Sequence, residues 1–153
     1  MADEIPEPVL IELGRLTWSA IHLEDLTDSL CHFVVHRDPR EDRRPIGRKV
    51  SDALRELSQW EGGASNLDQI KDWLSISQRA LEKRNALLHS VPLILFNDQG
   101  HRIGHALGEM PKANREYHQR RMDLTELREV RAELDAAQED WVAMVRLADQ
   151  HHP

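Results

Sequence analysis

Apolar residues recur along much of the chain at spacings of three, four and seven, the repeat of an α-helix that buries one face. The first such stretch predicts a helix over about residues 8–36. A charged connection with two prolines, 37–45, follows it, and Pro45 suits the first turn of a second helix that ends near Trp60. The apolar positions of these two helices are Val9, Leu13, Leu16, Ala20, Leu23, Leu30, Val34, Val50, Leu54 and Leu57.

A third helix is predicted to start at Ser65 or Asn66, either of which can cap its first turn. Its stripe of mostly apolar positions consists of Leu67, Ile70, Leu74, Ser77, Leu81 and Leu88. Arg84 falls on the same stripe, and a charge on an apolar face needs a partner or a function. The helix is expected to stop before Pro92, because proline lacks the backbone N–H that a further turn requires.

The segment after the third helix is predicted to form a small β-hairpin. Residues 93–96 and 101–107 are its strands, and 97–100 is a turn closed by glycine. A last helix is predicted from Asp123, with Glu126 three residues later as in a capping box. The apolar positions of this helix are Leu124, Leu127, Val130, Leu134, Ala137, Trp141, Val145 and Ala148.

Together these elements predict an all-α protein, a four-helix up-and-down-type bundle with a small β-hairpin insertion between helices 3 and 4. A chain of this length fits one domain, so residues 1–153 are expected to form a single helical domain. Hydrophobic residues make up 40% of the chain and charged residues 31%, which is a globular rather than a disordered composition. Core or interface positions are expected for the tryptophans Trp18, Trp60, Trp73 and Trp141.

Cys31 is the only cysteine, which excludes an internal disulfide and a multi-cysteine zinc site. A single cysteine fits a reducing compartment. The acidic start, with Asp3 and Glu4, lacks the apolar segment of a signal peptide, and the apolar run 91–96 is too short to span a bilayer. We therefore expect a cytoplasmic protein without membrane association.

The net charge of −7 argues against a protein that coats nucleic acid in general. The charge is uneven, however: residues 1–36 carry −6, residues 123–153 carry −5, and the middle segment, 37–122, carries +4. A local basic patch in the middle segment can hold an RNA backbone, although a solvated loop is the alternative. The candidate RNA contacts in this segment are Arg43, Arg44 and Arg48.

The most distinctive polar pattern is Arg84-Asn85 with His89 and then Ser90, at the predicted end of the third helix. This Arg-Asn-x-x-x-His pattern resembles the signature of HEPN domains. These are compact helical proteins, and many of them are metal-independent ribonucleases of toxin and defence systems. The resemblance implies that Arg84, Asn85 and His89 are catalytic and that neither a metal nor another cofactor is required. Ser90, which follows the motif, is a further candidate RNA contact.

Cleavage of RNA by its own 2′-hydroxyl needs a base, a cation at the phosphate and an acid at the leaving oxygen. His89 titrates near neutral pH and can be the base or the acid, while Arg84 offers a planar fork of donors to the phosphate. On an ideal helix the two residues lie roughly 140° apart, so they do not share one narrow face. The resemblance implies a homodimer in which two copies of the motif face each other, with RNA as the substrate and an antitoxin protein as a candidate partner.

The same residues also allow a structural interpretation. Arg84 can be an ion-pair partner for an acid of the first helix, such as Glu24 or Asp25. His89 can interact with the last carbonyl groups of its helix, where a cation is favoured. The chain would then be a non-catalytic helical interaction module of the same fold.

A third interpretation is a metal-binding bundle built on histidines. His32 and His36 are four residues apart, which can place two imidazoles on one metal, although no third ligand follows at a motif spacing. The alternative for both is a solvated or capping histidine. The remaining candidates, which are either exposed loop residues or face the cleft, are His101, His105 and His118.

Overall fold

The computed structural model describes residues 6–61, 63–88, 90–109, 119–120 and 124–153, and for 88, 90–96, 102–109 and 119–120 it describes the backbone only. The predicted all-α class is confirmed, because the described residues form a bundle of helices. The helices are α1 (Glu7–Val35), α2 (Ile46–Leu57), α3 (Ala64–Leu88), α4 (Leu124–Glu139) and α5 (Trp141–His151). The strands are β1 (Ser90–Phe96), β2 (Arg102–Glu109) and β3 (Gln119–Arg120).

Both ends of α1 follow from its sequence. The helix starts after Pro6, with a second proline, Pro8, in the first turn, where the missing N–H would have no helical partner in any case. It ends at His36, which adopts a left-handed conformation with φ 52° and ψ 45° and donates its backbone N–H to the carbonyl of His32. A left-handed residue ends a helix and redirects the chain, so the connection 37–45 leaves α1 at this point.

The predicted apolar stripes meet in one core. None of the described helices is both long and apolar enough to cross a membrane. Trp60 and Trp73 are buried and Trp141 packs partly buried against the core, as expected, but Trp18 is 77% exposed and is not a core residue. Each buried leucine contributes about 1.5–3 kcal/mol of transfer free energy. The leucines and isoleucine that are fully buried are Leu16, Leu23, Leu30, Leu57, Ile70, Leu74, Leu81, Leu127 and Leu134.

The first and the last parts of the chain pack side by side in the same direction. Side-chain contacts between α1 and the α4–α5 unit advance together along both partners. In chain order they pair Glu12 with Arg131, Ser19 with Asp135, and the carbonyl of Leu26 with Trp141. α3 runs the opposite way against the same unit, through pairs of Lys83 with Glu133, Trp73 with Ala137, and Asn66 with His151.

The direction of α2 differs from the predicted up-and-down order. Lys49, in its first turn, bonds to Asp28 in the second half of α1. Trp60, just beyond the end of α2, contacts the ring of His152, and His36 at the end of α1 contacts the same ring. α2 therefore runs in the same direction as the second half of α1, and the up-and-down prediction is wrong here. The proline-containing connection makes this arrangement possible, because it turns back along α1 before α2 begins and brings Asp42 against His32.

The predicted last helix is divided in two at Asp140. This residue has φ −86° and ψ −8°, which departs from ideal helical angles, and a new helix starts at Trp141. Nε1 of Trp141 donates a hydrogen bond of 2.9 Å to the carbonyl oxygen of Leu26, which fixes the ring. Beyond the break, α5 packs near the start of α3, where His151 hydrogen-bonds to Asn66.

Between α3 and α4 the chain forms a short antiparallel sheet with the order β1-β2-β3. Leu93 lies opposite Ala106 in the β1–β2 pair. The connecting turn is held by the side chain of Asn97, whose Oδ1 accepts the N–H groups of Gln99 and His101 at 3.0 and 2.8 Å. β3, a two-residue strand on the outer side of β2, has no counterpart among the predicted elements.

Candidate functional site

Arg84 forms an ion pair with the first helix. Its Nη2 donates to Oε2 of Glu24 at 2.6 Å. The Arg84 side chain is 12% exposed and that of Glu24 is 44% exposed, so the pair lies at the edge of the core. Nε of Arg84 is buried and has no hydrogen-bond partner among the described residues. The structural interpretation of Arg84, an ion pair with Glu24, is confirmed, while its catalytic role stays a prediction.

The other motif residues are placed less completely. Asn85 is exposed on the surface of α3. Ser90 is the first residue of β1, where only the backbone is described. His89 lies outside the described residues. Of the predicted catalytic residues, the structure therefore gives side-chain positions for Arg84, which is paired, and Asn85, which faces solvent.

Glu24, the partner of Arg84, lines a surface groove of about 570 Å³. The groove lies between α1 and the segment that connects it to α2. Two of the three predicted RNA-contacting arginines, Arg43 and Arg44, line the same groove, whereas Arg48 is exposed outside it. The structure thus brings the Arg84–Glu24 pair and two basic side chains to one place. The residues that line this groove are Ile21, Glu24, Asp25, Asp28, Arg43, Arg44, Pro45, Ile46 and Lys49.

The neighbouring arginines of the groove differ in what they can bind. Arg44 is engaged by Asp42, through Nε at 2.9 Å and Nη2 at 2.8 Å, and also by Asp52. The hydrogen bond from Arg44 holds the pKa of Asp42 well below its usual range, and the bonds to Asp42 and Asp52 raise the pKa of Arg44. Arg43 is exposed and has no ion-pair partner among the described residues. Arg44 is thus a structural link of the connecting segment, and Arg43 is the side chain available to an external anion.

A buried charged cluster that sequence reasoning missed lies beneath the groove. His32 is 4% exposed, and its Nδ1 lies 3.5 Å from Oδ1 of Asp28 while its Nε2 lies 3.6 Å from Oδ2 of Asp42. Lys49 donates from Nζ to the same Asp28 oxygen at 2.6 Å. Lys49 compensates the charge of Asp28, and the His32 ring lies between the carboxylates of α1 and of the connection. Polar residues inside two predicted apolar helices were the only sequence signal for it.

The alternative of a metal centre gains no support from the histidines that can be placed. His32 faces a carboxylate on each side of its ring, and His36 ends α1. Within the described parts of the chain, no group of three metal-ligating side chains comes together. His101 is exposed in the turn of the sheet, His105 is described by its backbone only, and His118 lies outside the described residues.

The single cysteine has a buried, unreactive thiol. Cys31 is 1% exposed. Burial, with a smaller contribution from the nearby Asp28 carboxylate, raises the pKa of its thiol to about 12. A nucleophilic cysteine needs a lowered pKa, so Cys31 packs as a small apolar residue at neutral pH.

No family model matches this chain, and neither the curated proteins nor the solved structures contain a match. What this protein does must therefore be inferred from its own residues.

Proposed function

We propose that this protein is a metal-independent endoribonuclease of the HEPN type, acting in a toxin or defence system. The observation that supports it most is the position of Arg84: α3 holds it against Glu24, and Glu24 lines a groove that also contains Arg43. A guanidinium next to a groove with a second cation is suited to a phosphodiester substrate. Exposed Asn85, the next residue, adds an amide at the same helix end.

In the proposed reaction the 2′-hydroxyl of the RNA attacks the adjacent phosphorus. The imidazole of His89 accepts the hydroxyl proton, a new bond forms from the 2′-oxygen to phosphorus, and the bond to the 5′-oxygen breaks. A second imidazole protonates the 5′-oxygen as it leaves, which yields a cyclic phosphate and a free 5′-hydroxyl. Arg84 stabilises the extra negative charge on the phosphate oxygens in the transition state.

One imidazole cannot act on both sides of the phosphorus in the same step. We therefore propose a homodimer in which His89 residues of two protomers serve one cleft. Glu24 has a positioning role in this arrangement, because its carboxylate holds Nη2 of the Arg84 guanidinium. An antitoxin protein that covers the cleft is the partner expected of such a toxin.

The experiment is cleavage of a labelled single-stranded RNA in EDTA. The wild type is expected to cleave it, and His89→Ala to lose about 10²- to 10⁴-fold in rate, the usual contribution of a general acid or base. Arg84→Lys keeps the charge but loses the planar fork, so it too should be impaired. Arg79→Ala removes an exposed arginine of the same helix and is the matched control that should retain activity.

Mixed dimers test the shared cleft. A heterodimer of wild type and His89→Ala holds one imidazole in its cleft, so mixing the two proteins should lower the activity per wild-type subunit. Sites that are complete within one protomer would keep that activity unchanged. The ribonuclease proposal fails if wild type and His89→Ala degrade RNA equally, or if purified wild type leaves RNA intact.

A specific observation favours a second candidate, a non-catalytic interaction module. The charge of Arg84 is already met by Glu24, and the arginine side chain is largely buried, as a structural role requires. Folded, dimeric protein without RNA cleavage, in which Arg84→Ala lowers stability only, would select this candidate.

A further inference from the structure

Three arginines from the two acidic ends of the chain converge on one carboxylate. Glu12 of α1 is bound through Oε1 by Nε of Arg131 on α4. Nη1 of Arg15 and Nε of Arg128 each lie 3.9 Å from its other oxygen, Oε2. We call Arg15, Arg128 and Arg131 the arginine cluster. Residues 1–36 and 123–153 contain only one other lysine or arginine, Arg146, so folding collects almost all of their positive charge at one site.

The cluster holds more positive charge than its carboxylates compensate. Arg131 binds both Glu12 and Asp135, the latter at 3.1 Å, and is fully engaged. The Glu12 side chain is 3% exposed, so it offers little further capacity to ligands from solvent. Arg15 and Arg128 stay beyond hydrogen-bond distance of Glu12 and are 64% and 60% exposed. These two guanidinium groups therefore keep their donors for an anion from outside.

An exposed indole stands one turn further along α1. Trp18 is 77% exposed, whereas the rings of Trp73 and Trp141 are held by hydrogen bonds to backbone carbonyls. Trp18 is three residues from Arg15, so both side chains lie on the same side of the helix. A flat aromatic surface beside two cations matches the two parts of a nucleotide, its base and its phosphate.

The space next to Trp18 is open. Trp18 and Arg15 line a groove of about 430 Å³ between α1 and α4, together with the paired Arg131 and Asp135. Arg128 lies beyond this lining, near the same Glu12 oxygen as Arg15. Gly14 lies in the same groove, and no atom lies within 4 Å of the position that its β-carbon would occupy. Glycine weakens a helix relative to alanine, and the packing of this chain does not require it here. The edge of the groove carries polar groups: Nδ1 of His22 lies 2.7 Å from Oε1 of Gln138.

We infer that the groove between α1 and α4 binds a nucleotide unit of single-stranded RNA, with the base stacked on Trp18 and the phosphate held by Arg15 and Arg128. Gly14 leaves room for the base against the helix, and His22 is available to its polar edge. The choice of RNA as ligand rests on the proposed function. Binding itself needs no cleavage, so it can be measured whether or not the protein is a ribonuclease.

The test is fluorescence anisotropy of a fluorescein-labelled ten-nucleotide oligouridylate, with the His89→Ala protein so that the RNA stays intact. Trp18→Ala is expected to weaken binding roughly five- to a hundredfold, since a stacked base is worth about 1–3 kcal/mol. The fold should survive this change, because the side chain is 77% exposed. A duplex RNA should bind less well than the single strand, because its bases are already stacked on one another.

Two further variants test the role of Arg15 and Arg128 and the role of the open space beside Gly14. Arg15→Gln with Arg128→Gln should lower the dependence of log K on log salt by roughly 1.4, the value for two phosphate contacts with a single strand. Arg146→Gln, which removes an exposed arginine outside the groove, is the matched control and should leave that slope unchanged. Gly14→Leu should improve helix stability and still weaken binding, because the leucine fills the groove.

Four results would overturn the inference. If Trp18→Ala and Gly14→Leu bind the oligouridylate as tightly as the protein without these changes, no base stacks on Trp18. An equal decrease of the salt dependence in Arg146→Gln would mean that RNA binding responds to the overall charge of the protein and not to this groove. Uridine 5′-monophosphate that binds as tightly as the oligomer would assign the groove to free nucleotides. If the protein does not bind RNA, and sedimentation shows that Trp18→Ala converts a dimer to a monomer, the indole belongs to a protein contact. Each outcome leaves the cleavage assay of Arg84 and His89 as a separate question.

Discussion

Arg44 donates two parallel hydrogen bonds to Asp42, from Nε to Oδ1 at 2.9 Å and from Nη2 to Oδ2 at 2.8 Å. A bidentate pair of this kind has a fixed geometry, and Arg44 extends it to Asp52 on α2. Asp42 also faces the buried ring of His32. The segment between α1 and α2 is therefore tied to both helices by one carboxylate and one guanidinium.

The first prediction is a loss of stability in acid that depends on Asp42. Its pKa is lowered in the folded protein, mainly by the hydrogen bond from Arg44, so the unfolded chain takes up the proton first as the pH falls. The stabilisation is complete above the unfolded pKa of about 4 and is lost as the pH falls through the lower folded value. Urea unfolding at pH 7 and pH 3 should show a smaller acid effect in Asp42→Asn than in wild type. Asp149→Asn, at an exposed position of α5, should keep the wild-type acid effect.

The second prediction concerns the thiol of Cys31. Because burial raises its pKa to about 12, the native protein holds a neutral thiol at pH 8. A thiol reagent such as Ellman's disulfide should therefore react slowly with native protein and completely once urea unfolds the chain. A full equivalent of colour within seconds in native buffer would contradict both the burial and the raised pKa.

The third prediction concerns the contribution of the Arg84–Glu24 ion pair to the stability of the fold. Glu24→Gln keeps the shape of the side chain but removes its charge, so we expect a loss of about 1 kcal/mol, the upper range for a partly exposed ion pair. A double-mutant cycle with Arg84→Met would isolate the coupling between the two side chains by urea unfolding. Additive losses in the double variant would mean that the pair does not contribute to stability.

The fourth prediction uses two leucines of equal size and opposite burial. Leu134 of α4 is 0% exposed and Leu10 of α1 is 51% exposed. Leu134→Ala should lower the free energy of unfolding by about 2–5 kcal/mol, because it removes apolar contacts and leaves a cavity. Leu10→Ala should change it by about 0.5 kcal/mol or less. Similar losses in both variants would contradict the packing of α4 on α1.

Much of the fold could be predicted because helical periodicity is a local property. The stripes through Leu16, Leu74 and Leu127 belong to single helices, and all three residues are buried. The alternative that Arg84 pairs with Glu24 could also be stated in advance, since a cation on an apolar stripe needs an acid from a neighbouring helix.

Other features depend on which helix lies next to which, and periodicity carries no such information. The direction of α2 depends on the course of the preceding connection. The arginine cluster brings together residues of α1 and α4 from segments that are acidic as a whole, so average charge concealed it. The break at Asp140 leaves the apolar stripe uninterrupted and is visible only in the backbone angles of that residue.

The parallel packing of α1 against α4 also determines when the protein can fold during synthesis. Glu12 meets Arg131 across 119 positions of sequence, so the ribosome must add all the residues between them before α1 finds this partner. Until then the apolar face of α1 has only α2 and α3 to cover it, and closing such distant contacts is slow. The apolar face of α1 therefore stays partly uncovered during synthesis until α4 and α5 have emerged to complete the core.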